Sequence, residues 1–383
     1  MEVLLPLALY LFAMTLMMAS LYLERHQRTV LLGPIWAILS LAFIHTKRVP
    51  ADLGLNAQFG MLVIVTFIYN PVLLTTTAKK LNLNNTCFDI PSAYRLFNNP
   101  RELILLPSHL RTASVPKRLG FAAKGILTCC VIIVSLSLRD RVLASYLSTF
   151  TVADFAPSRE WLVPRVLSGE MTVHDLGVRA YVSLAWIYDT CSQLVLVHIL
   201  LSFVFVVVLR VDEPEEWPSL FRSPLEAYTV RRFWGVYWHR LLTPTAIRWA
   251  KFITRRASFL RGHQEAEKLF VAWFVFTTSG VAHVLVGWQL GDAALGRDLY
   301  FFWANFGVIG LEIVIGKMAK CVCRHVAPAQ ESRSGKLYLR IFGRVLGYLW
   351  VVLWFMMTIP HILFPKTYAA IRLQLFARGL KVD

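Results

Sequence analysis

The sequence predicts an all-α, polytopic membrane protein of seven to nine transmembrane helices. Three observations carry the class. Of 383 residues, 56% are hydrophobic and only 16% are charged, and the mean hydropathy of +0.54 is far above that of a soluble domain of this size. The apolar residues fall into runs near the roughly 20 residues that a helical membrane span requires. The net charge of +17 sits in the connections between those runs, where cations meet anionic lipid and anionic ligands, so nucleic acid is excluded as a partner.

In chain order, Val3 to Leu23 is too long for a signal-peptide core and is followed by Glu24, Arg25, His26 and Arg28. It reads as a retained helix or signal anchor. Runs at Thr29 to His45 and Phe59 to Leu74, the latter containing Pro71, predict the next two spans. Thr75 to Arg118 mixes basic residues, leucines and four prolines, which suits a segment lying along the interface. Its sequon, Asn84-Asn85-Thr86, is expected on the cytoplasmic side and unused. Leu119 to Leu138 is a span, and Val142 to Ala156 a weaker apolar piece that only dips into the bilayer. Tyr181 to Leu209 is longer than a span needs and predicts a tilted helix. In it, Asp189 and Gln193 stand four apart and share a face that must look at protein or water, as packing glue or as substrate contact.

The stretch from Phe233 to His283 is the most informative. Arg231, Arg232, Arg240, Arg248, Lys251, Arg255, Arg256 and Arg261 are eight basic residues uninterrupted by any Asp or Glu, a block that can meet lipid headgroups or a polyphosphate ligand. An α-helix over Phe233 to Arg240 would place Trp234 with Trp238 on one face and Gly235 with His239 beside it, framing a pocket. Lys268 to Leu290 is a span in which Gly280, His283 and Gly287 fall at i, i+3 and i+7, with Ser279 one turn before the histidine. An ionisable side chain at membrane depth is expensive, so His283 marks either a functional site or a bond to a neighbouring helix. The small residues around it leave room for a ligand or permit close packing.

Leu299 to Met318 repeats the theme, with Asn305, Glu312 and Gly316 on one face. A buried carboxylate needs a donor, and Glu312 is expected to accept a hydrogen bond from His283, from a Trp or from a helix elsewhere. A basic loop then leads to the last span, Ile341 to Phe364. The six cysteines show no disulfide framework, and Cys321, Cys323 and His325 lack the second ligand group that a metal site needs, so no metal is expected.

Trp217-Pro218, Phe221, Ser223-Pro224, Arg232-Phe233-Trp234-Gly235, Trp238-His239, Ser279-Gly280 and His283 resemble, in order and spacing, the wax synthase-like branch of the membrane-bound O-acyltransferases. The resemblance covers residues 215–365, the catalytic region of a single integral-membrane domain whose residues 1–210 supply N-terminal helices and the interfacial segment. Val236-Tyr237 departs from the family, which often has two arginines there, and Arg222 stands where glycine is frequent.

The resemblance implies an endoplasmic-reticulum enzyme whose helices enclose an intramembrane reaction chamber and which moves an acyl group from acyl-CoA to a hydroxyl, with His283 matching the family's intramembrane catalytic histidine. A neutral imidazole can take the proton of an attacking alcohol. Trp238 or His239 is the candidate donor to the oxyanion. Arg231, Arg232, Trp234, Arg248, Lys251, Arg255 and Arg256 are the expected CoA contacts, and Ser279, Gly280, Gly287, Asn305 and Glu312 the expected substrate pocket. Among such proteins the chain resembles fungal acetyltransferases of natural products. Acetyl-CoA and a lipophilic alcohol, a terpenoid or meroterpenoid, are therefore the expected substrates, with a long-chain wax ester synthase as the alternative. No G-x-S-x-G elbow supports an acyl-enzyme. A prenyltransferase would need paired carboxylates for magnesium diphosphate and a transporter an inverted repeat, and the sequence offers neither convincingly.

Overall fold

The computed structural model describes residues 2–51, 54–76, 90–103, 113–257, 263–292, 294–326 and 333–378. The sequon at Asn84, Arg111 and Arg261 lie outside them. Among the described residues, thirteen α-helices follow in order: α1 Leu4–Ser20, α2 Arg25–Ile44, α3 Leu55–Thr76, α4 Ile90–Phe97, α5 Val115–Val142, α6 Ala144–Leu147, α7 Leu162–Leu167, α8 Val173–Ser202, α9 Val230–Arg232, α10 Thr243–Thr254, α11 Gln264–Leu290, α12 Leu295–Val326 and α13 Arg333–Ala377. Seven of the described helices, α2, α3, α5, α8 with its π-helical extension to Val208, α11, α12 and α13, are long and apolar enough to cross a membrane, and α1 is a shorter apolar helix. The protein is an all-α, polytopic integral membrane protein.

The surface of α5 shows why water is the wrong solvent. Leu119, Ile126, Leu127, Val131, Ile133, Val134 and Leu138 all stand exposed along it, an apolar face that only hydrocarbon covers without cost. The predicted dip at Val142 to Ala156 breaks into α6 and a 3₁₀ turn over Val152–Phe155, too short to cross. The span predicted from Tyr181 begins earlier, because Thr172 and Asp175 cap the start of α8 reciprocally at 3.0 and 3.1 Å, and Arg165 pairs with the Asp175 carboxylate at 3.0 Å. Asp189 looks at protein, as its face requires: Arg139 of α5 pairs with it at 2.5 Å.

The chain forms two compact units. The first comprises Met1–Arg118, Val204–Pro218 and Arg240–Leu299, and the second Leu119–Phe203, Ser219–His239 and Tyr300–Asp383. In the first, Met14, Met17, Leu21, Ile35, Leu39, Val63 and Leu73 make a core between α1, α2 and α3. In the second, α8 packs along α13, and Phe155, Val178 and Phe364 form part of the interior.

Prolines inside spans leave carbonyls that the fold satisfies from neighbouring helices. Pro71 removes the bond to Phe67 in α3, and the Phe67 carbonyl accepts the indole N–H of Trp36 at 3.3 Å. Trp249 of α10 donates to the adjacent Ile68 carbonyl at 3.0 Å. In α13, Pro360 frees Met356, whose carbonyl accepts from Arg179 at 3.2 Å. Ser183 donates to Phe355 one residue before, at 3.0 Å.

Candidate active site

The second unit gathers the residues of the tryptophan-rich segment around two polar side chains of α12. Thr229 caps α9, its hydroxyl accepting the Arg232 N–H at 3.0 Å. The predicted α-helix does not continue to Arg240. Residues Phe233–Tyr237 form a π turn, closed by the Trp238 N–H on the Phe233 carbonyl at 2.8 Å, and Trp238 itself is extended. The wider turn makes room for bulky rings. Phe233 stacks on Trp238 with centroids 5.1 Å apart, and Trp234 still meets Trp238 edge-on at 5.2 Å. Trp186 of α8 stacks on the far side of Trp238 at 5.9 Å, which buries that indole.

Asn305 and Glu312 hold this segment from α12. The Asn305 amide oxygen accepts the indole N–H of Trp234 at 2.8 Å and that of Trp354 at 2.9 Å, while its nitrogen donates to the Phe301 carbonyl. Glu312 accepts the indole N–H of Trp350 at 2.8 Å and the backbone N–H groups of Val230 and Arg231 at 2.8 and 2.9 Å. Of the donors expected for Glu312, a tryptophan is one it uses, together with the start of α9. Two indoles one turn apart on α13 thus meet two acceptors two turns apart on α12. The Trp350, Trp354 pair is an i, i+4 repeat in the last span, a sequence signal for these two donors.

α13 approaches the same segment elsewhere. Tyr348 donates its hydroxyl to the Leu225 carbonyl at 2.5 Å. Gly347 lies so close to Tyr228 that a Cβ built on it would stand 2.1 Å from the Tyr228 carbonyl oxygen. Only glycine allows that approach. Tyr237 hydrogen-bonds with the Cys191 thiol at 3.3 Å, and burial, then this contact, push its hydroxyl pKa up and keep it neutral. His239 lies beside Phe221 and Trp238, at centroid distances of 5.9 and 5.5 Å.

The basic connector divides between the units. In the second, Arg232 is engaged: it pairs with Glu226, donates to the Glu226 carbonyl at 2.9 Å and lies over the Tyr228 ring at 4.6 Å. Arg231 is exposed. In the first unit, Arg248 pairs with Glu102 at 2.5 Å, Lys251 is exposed on α10, and Arg256 lies over Phe252 at 3.6 Å. Arg255 caps the end of α10 through its backbone N–H on Lys251.

His283 belongs to the first unit, on α11, which packs against α3 and α10. Ala282, Val286 and Gln289 are the buried face, Ala282 and Val286 against Ile64 and Gln289 on the Ile44 carbonyl. His283 falls on another face and is exposed, with Ser279 half-buried one turn before it. Gly280 is buried. A Cβ on Gly287 would come within 3.3 Å of Leu295 and 3.4 Å of Asp292, so this glycine makes room for the turn after α11. Among the described residues, no three His, Cys, Asp or Glu side chains converge as a metal site would need.

Residues 217–304, the stretch containing the π turn, α10 and His283, match the model of the membrane bound O-acyl transferase family. Curated relatives include Acetyltransferase TRI7 of Fusarium sporotrichioides, 31% identical over 47% of this chain and 40% of the relative. Acetyltransferase atnC of an Arthrinium species is 30% identical over 43% of the chain and 36% of the relative. Acetyltransferase nanB of Aspergillus nanangensis is 28% identical over 55% and 47%. The chain spans less than half the length of each of these relatives. No solved structure matches it. A polytopic helical chain with the family's match across its tryptophan turn and its intramembrane histidine, this protein resembles the membrane-bound O-acyltransferases, and within them fungal proteins named acetyltransferases.

Proposed function

We propose that the protein is an acyl-CoA-dependent O-acyltransferase that moves an acetyl group to a hydroxyl of a lipophilic acceptor, a terpenoid or meroterpenoid, in the endoplasmic-reticulum membrane. The observation that carries this reading is the position of an exposed histidine, on a membrane-spanning helix, inside the 88 residues from 217 to 304 that match the acyltransferase family. Several relatives bearing the name acetyltransferase support the acetyl donor.

In this reading the neutral imidazole of His283 takes the proton of the acceptor hydroxyl as its oxygen attacks the thioester carbonyl, an effect worth roughly 10²–10⁴-fold. The tetrahedral oxyanion needs a hydrogen-bond donor. Collapse breaks the carbon–sulfur bond, and the imidazolium returns its proton to the departing thiolate, so ester and free CoA leave without an acyl-enzyme. Within the second unit, Phe233 and Trp186 stack on Trp238 and hold its indole in place.

The test is turnover by the purified protein in nanodiscs with radiolabelled acetyl-CoA, palmitoyl-CoA and a panel of terpenoid alcohols. Labelled ester from acetyl-CoA supports the reading. Ester from palmitoyl-CoA alone would make the protein a wax ester synthase, and no ester from either donor would remove the assignment.

A further inference from the structure

Three aromatic rings of the second unit, with no role in the reading above, meet in one place. Trp161 stands at the start of α7, Tyr300 in the second turn of α12, and His361 in α13 directly after Pro360. The Trp161 and Tyr300 ring centroids are 6.0 Å apart, with their planes inclined at 77°. The imidazole of His361 lies against both, 4.2 Å from the Trp161 centroid and 5.0 Å from that of Tyr300. Glu160 completes the group: its carboxylate is 3.7 Å from Nδ1 of His361.

The four side chains differ in exposure. Trp161 is 47% and Tyr300 45% exposed, whereas His361 and Glu160 are buried. Two large rings therefore form an open rim, with the imidazole and the carboxylate beneath. At 1.5 Å per residue, Tyr300 lies about 8 Å along α12 from its first residue, a depth at which Trp and Tyr meet lipid headgroups. A belt of interfacial aromatics accounts for the rim alone. It does not call for an acid held out of water under the rings.

Ring faces carry the negative end of the aromatic quadrupole, and a buried carboxylate strengthens that potential where little water screens it. The combination attracts a cation. Faces attract charge without accepting hydrogen bonds, so they favour a cation that has no N–H to satisfy over a strongly hydrated primary amine.

We infer that Trp161, Tyr300, His361 and Glu160 form a binding site for a quaternary ammonium group. The Trp161 and Tyr300 faces take its methyl groups and Glu160 supplies the counter-charge. A cation seated between those two rings lies within the range of about 6 Å from each centroid over which cation–π attraction acts. The choline headgroup of phosphatidylcholine and free choline carry the same chemistry and are the two sources of such a ligand. The site is independent of the acyl-transfer reading.

The experiment uses the full chain in phosphatidylglycerol nanodiscs, which contain no choline. It measures equilibrium binding of radiolabelled choline and of radiolabelled, water-soluble dibutyryl phosphatidylcholine, with 3,3-dimethyl-1-butanol, the uncharged isostere of choline, as competitor. The parent should bind at least one choline probe saturably, and the isostere should not compete. Trp161→Leu, Tyr300→Leu and Glu160→Gln should each raise the Kd roughly fivefold or more, the equivalent of about 1 kcal/mol. Tyr300→Phe keeps a ring face and should stay within about twofold of the parent. Binding of the lipid without choline would identify bilayer phosphatidylcholine as the ligand, and binding of choline would open the site to the free cation; both support it. A parent that binds neither probe would overturn the site, as would parental Kd values in both Leu variants. Equal competition by the uncharged isostere would show an apolar crevice and overturn it too. Trp161 and Tyr300 are partly exposed, so their variants carry the test should Glu160→Gln fail to fold.

Discussion

The Glu312 carboxylate on α12 accepts the indole N–H of Trp350 on α13 at 2.8 Å, and the same carboxylate takes the first two backbone N–H groups of α9. One half-buried acid thereby fixes both the pairing of two spans and the entry to the π turn. Glu312→Ala leaves these donors without their partner, at about 1–3 kcal/mol for each that stays buried. We expect its thermal unfolding in detergent to fall well below that of the parent, with Glu312→Gln, which retains an acceptor, in between. Equal stability of Ala and Gln variants would show that the carboxylate carries no such role.

Gly347 tests the same frame from the other side. Adding a Cβ where the Tyr228 carbonyl stands 2.1 Å away forces the segment outward, an overpacking cost of about 1–3 kcal/mol. Gly347→Ala should lower stability and turnover together, because the displaced segment leads to Trp238 and His239. Gly316→Ala, with open space at its Cβ, should leave both unchanged.

Arg179 is 1% exposed and donates to the carbonyl that Pro360 leaves unbonded. Arg179→Met should cost at least about 1–3 kcal/mol through that carbonyl alone. Pro360→Ala restores a backbone donor to Met356, so the double variant should lose less than the sum of the two single changes. A double-mutant cycle on thermal unfolding measures the coupling, and strict additivity would contradict it.

Asp154 gives a pH dependence. Burial raises its pKa, but hydrogen bonds from the Thr151 backbone and hydroxyl and from His174 outweigh burial and hold it below the usual carboxylate range. A depressed folded-state pKa contributes stability that is present above the unfolded value, about 3.9, and is lost as pH falls through the folded value. Unfolding midpoints of the parent should therefore drop below about pH 4, and Asp154→Asn should flatten that part of the profile. An identical acid limb in both proteins would remove Asp154 from the explanation.

Much of the fold was legible because membrane spans are written in hydropathy: seven predicted runs reappear as α2, α3, α5, α8, α11, α12 and α13. Their ends were less so. The start of α8 depends on Thr172, Asp175 and Arg165 meeting across a turn, and the length of α13 on a helix tolerating Pro360 and Pro365. At the candidate site, the rare Trp and His residues could be picked out by type and spacing. The π turn could not, since i, i+4 spacing around Trp234 and Trp238 fits an α-helix equally well. Nor could the partners of Asn305 and Glu312, or the approach of Arg101 to Pro218, which pairs residues 117 apart. Those relationships arise from tertiary packing and leave no local pattern.

The most direct test of the account is single-turnover acyl transfer by His283→Ala, purified in nanodiscs with the parental unfolding midpoint and saturating acetyl-CoA and acceptor. The account predicts retained CoA binding and a rate lowered by roughly 10²-fold or more. A folded His283→Ala protein that forms ester at close to the parental rate would contradict it.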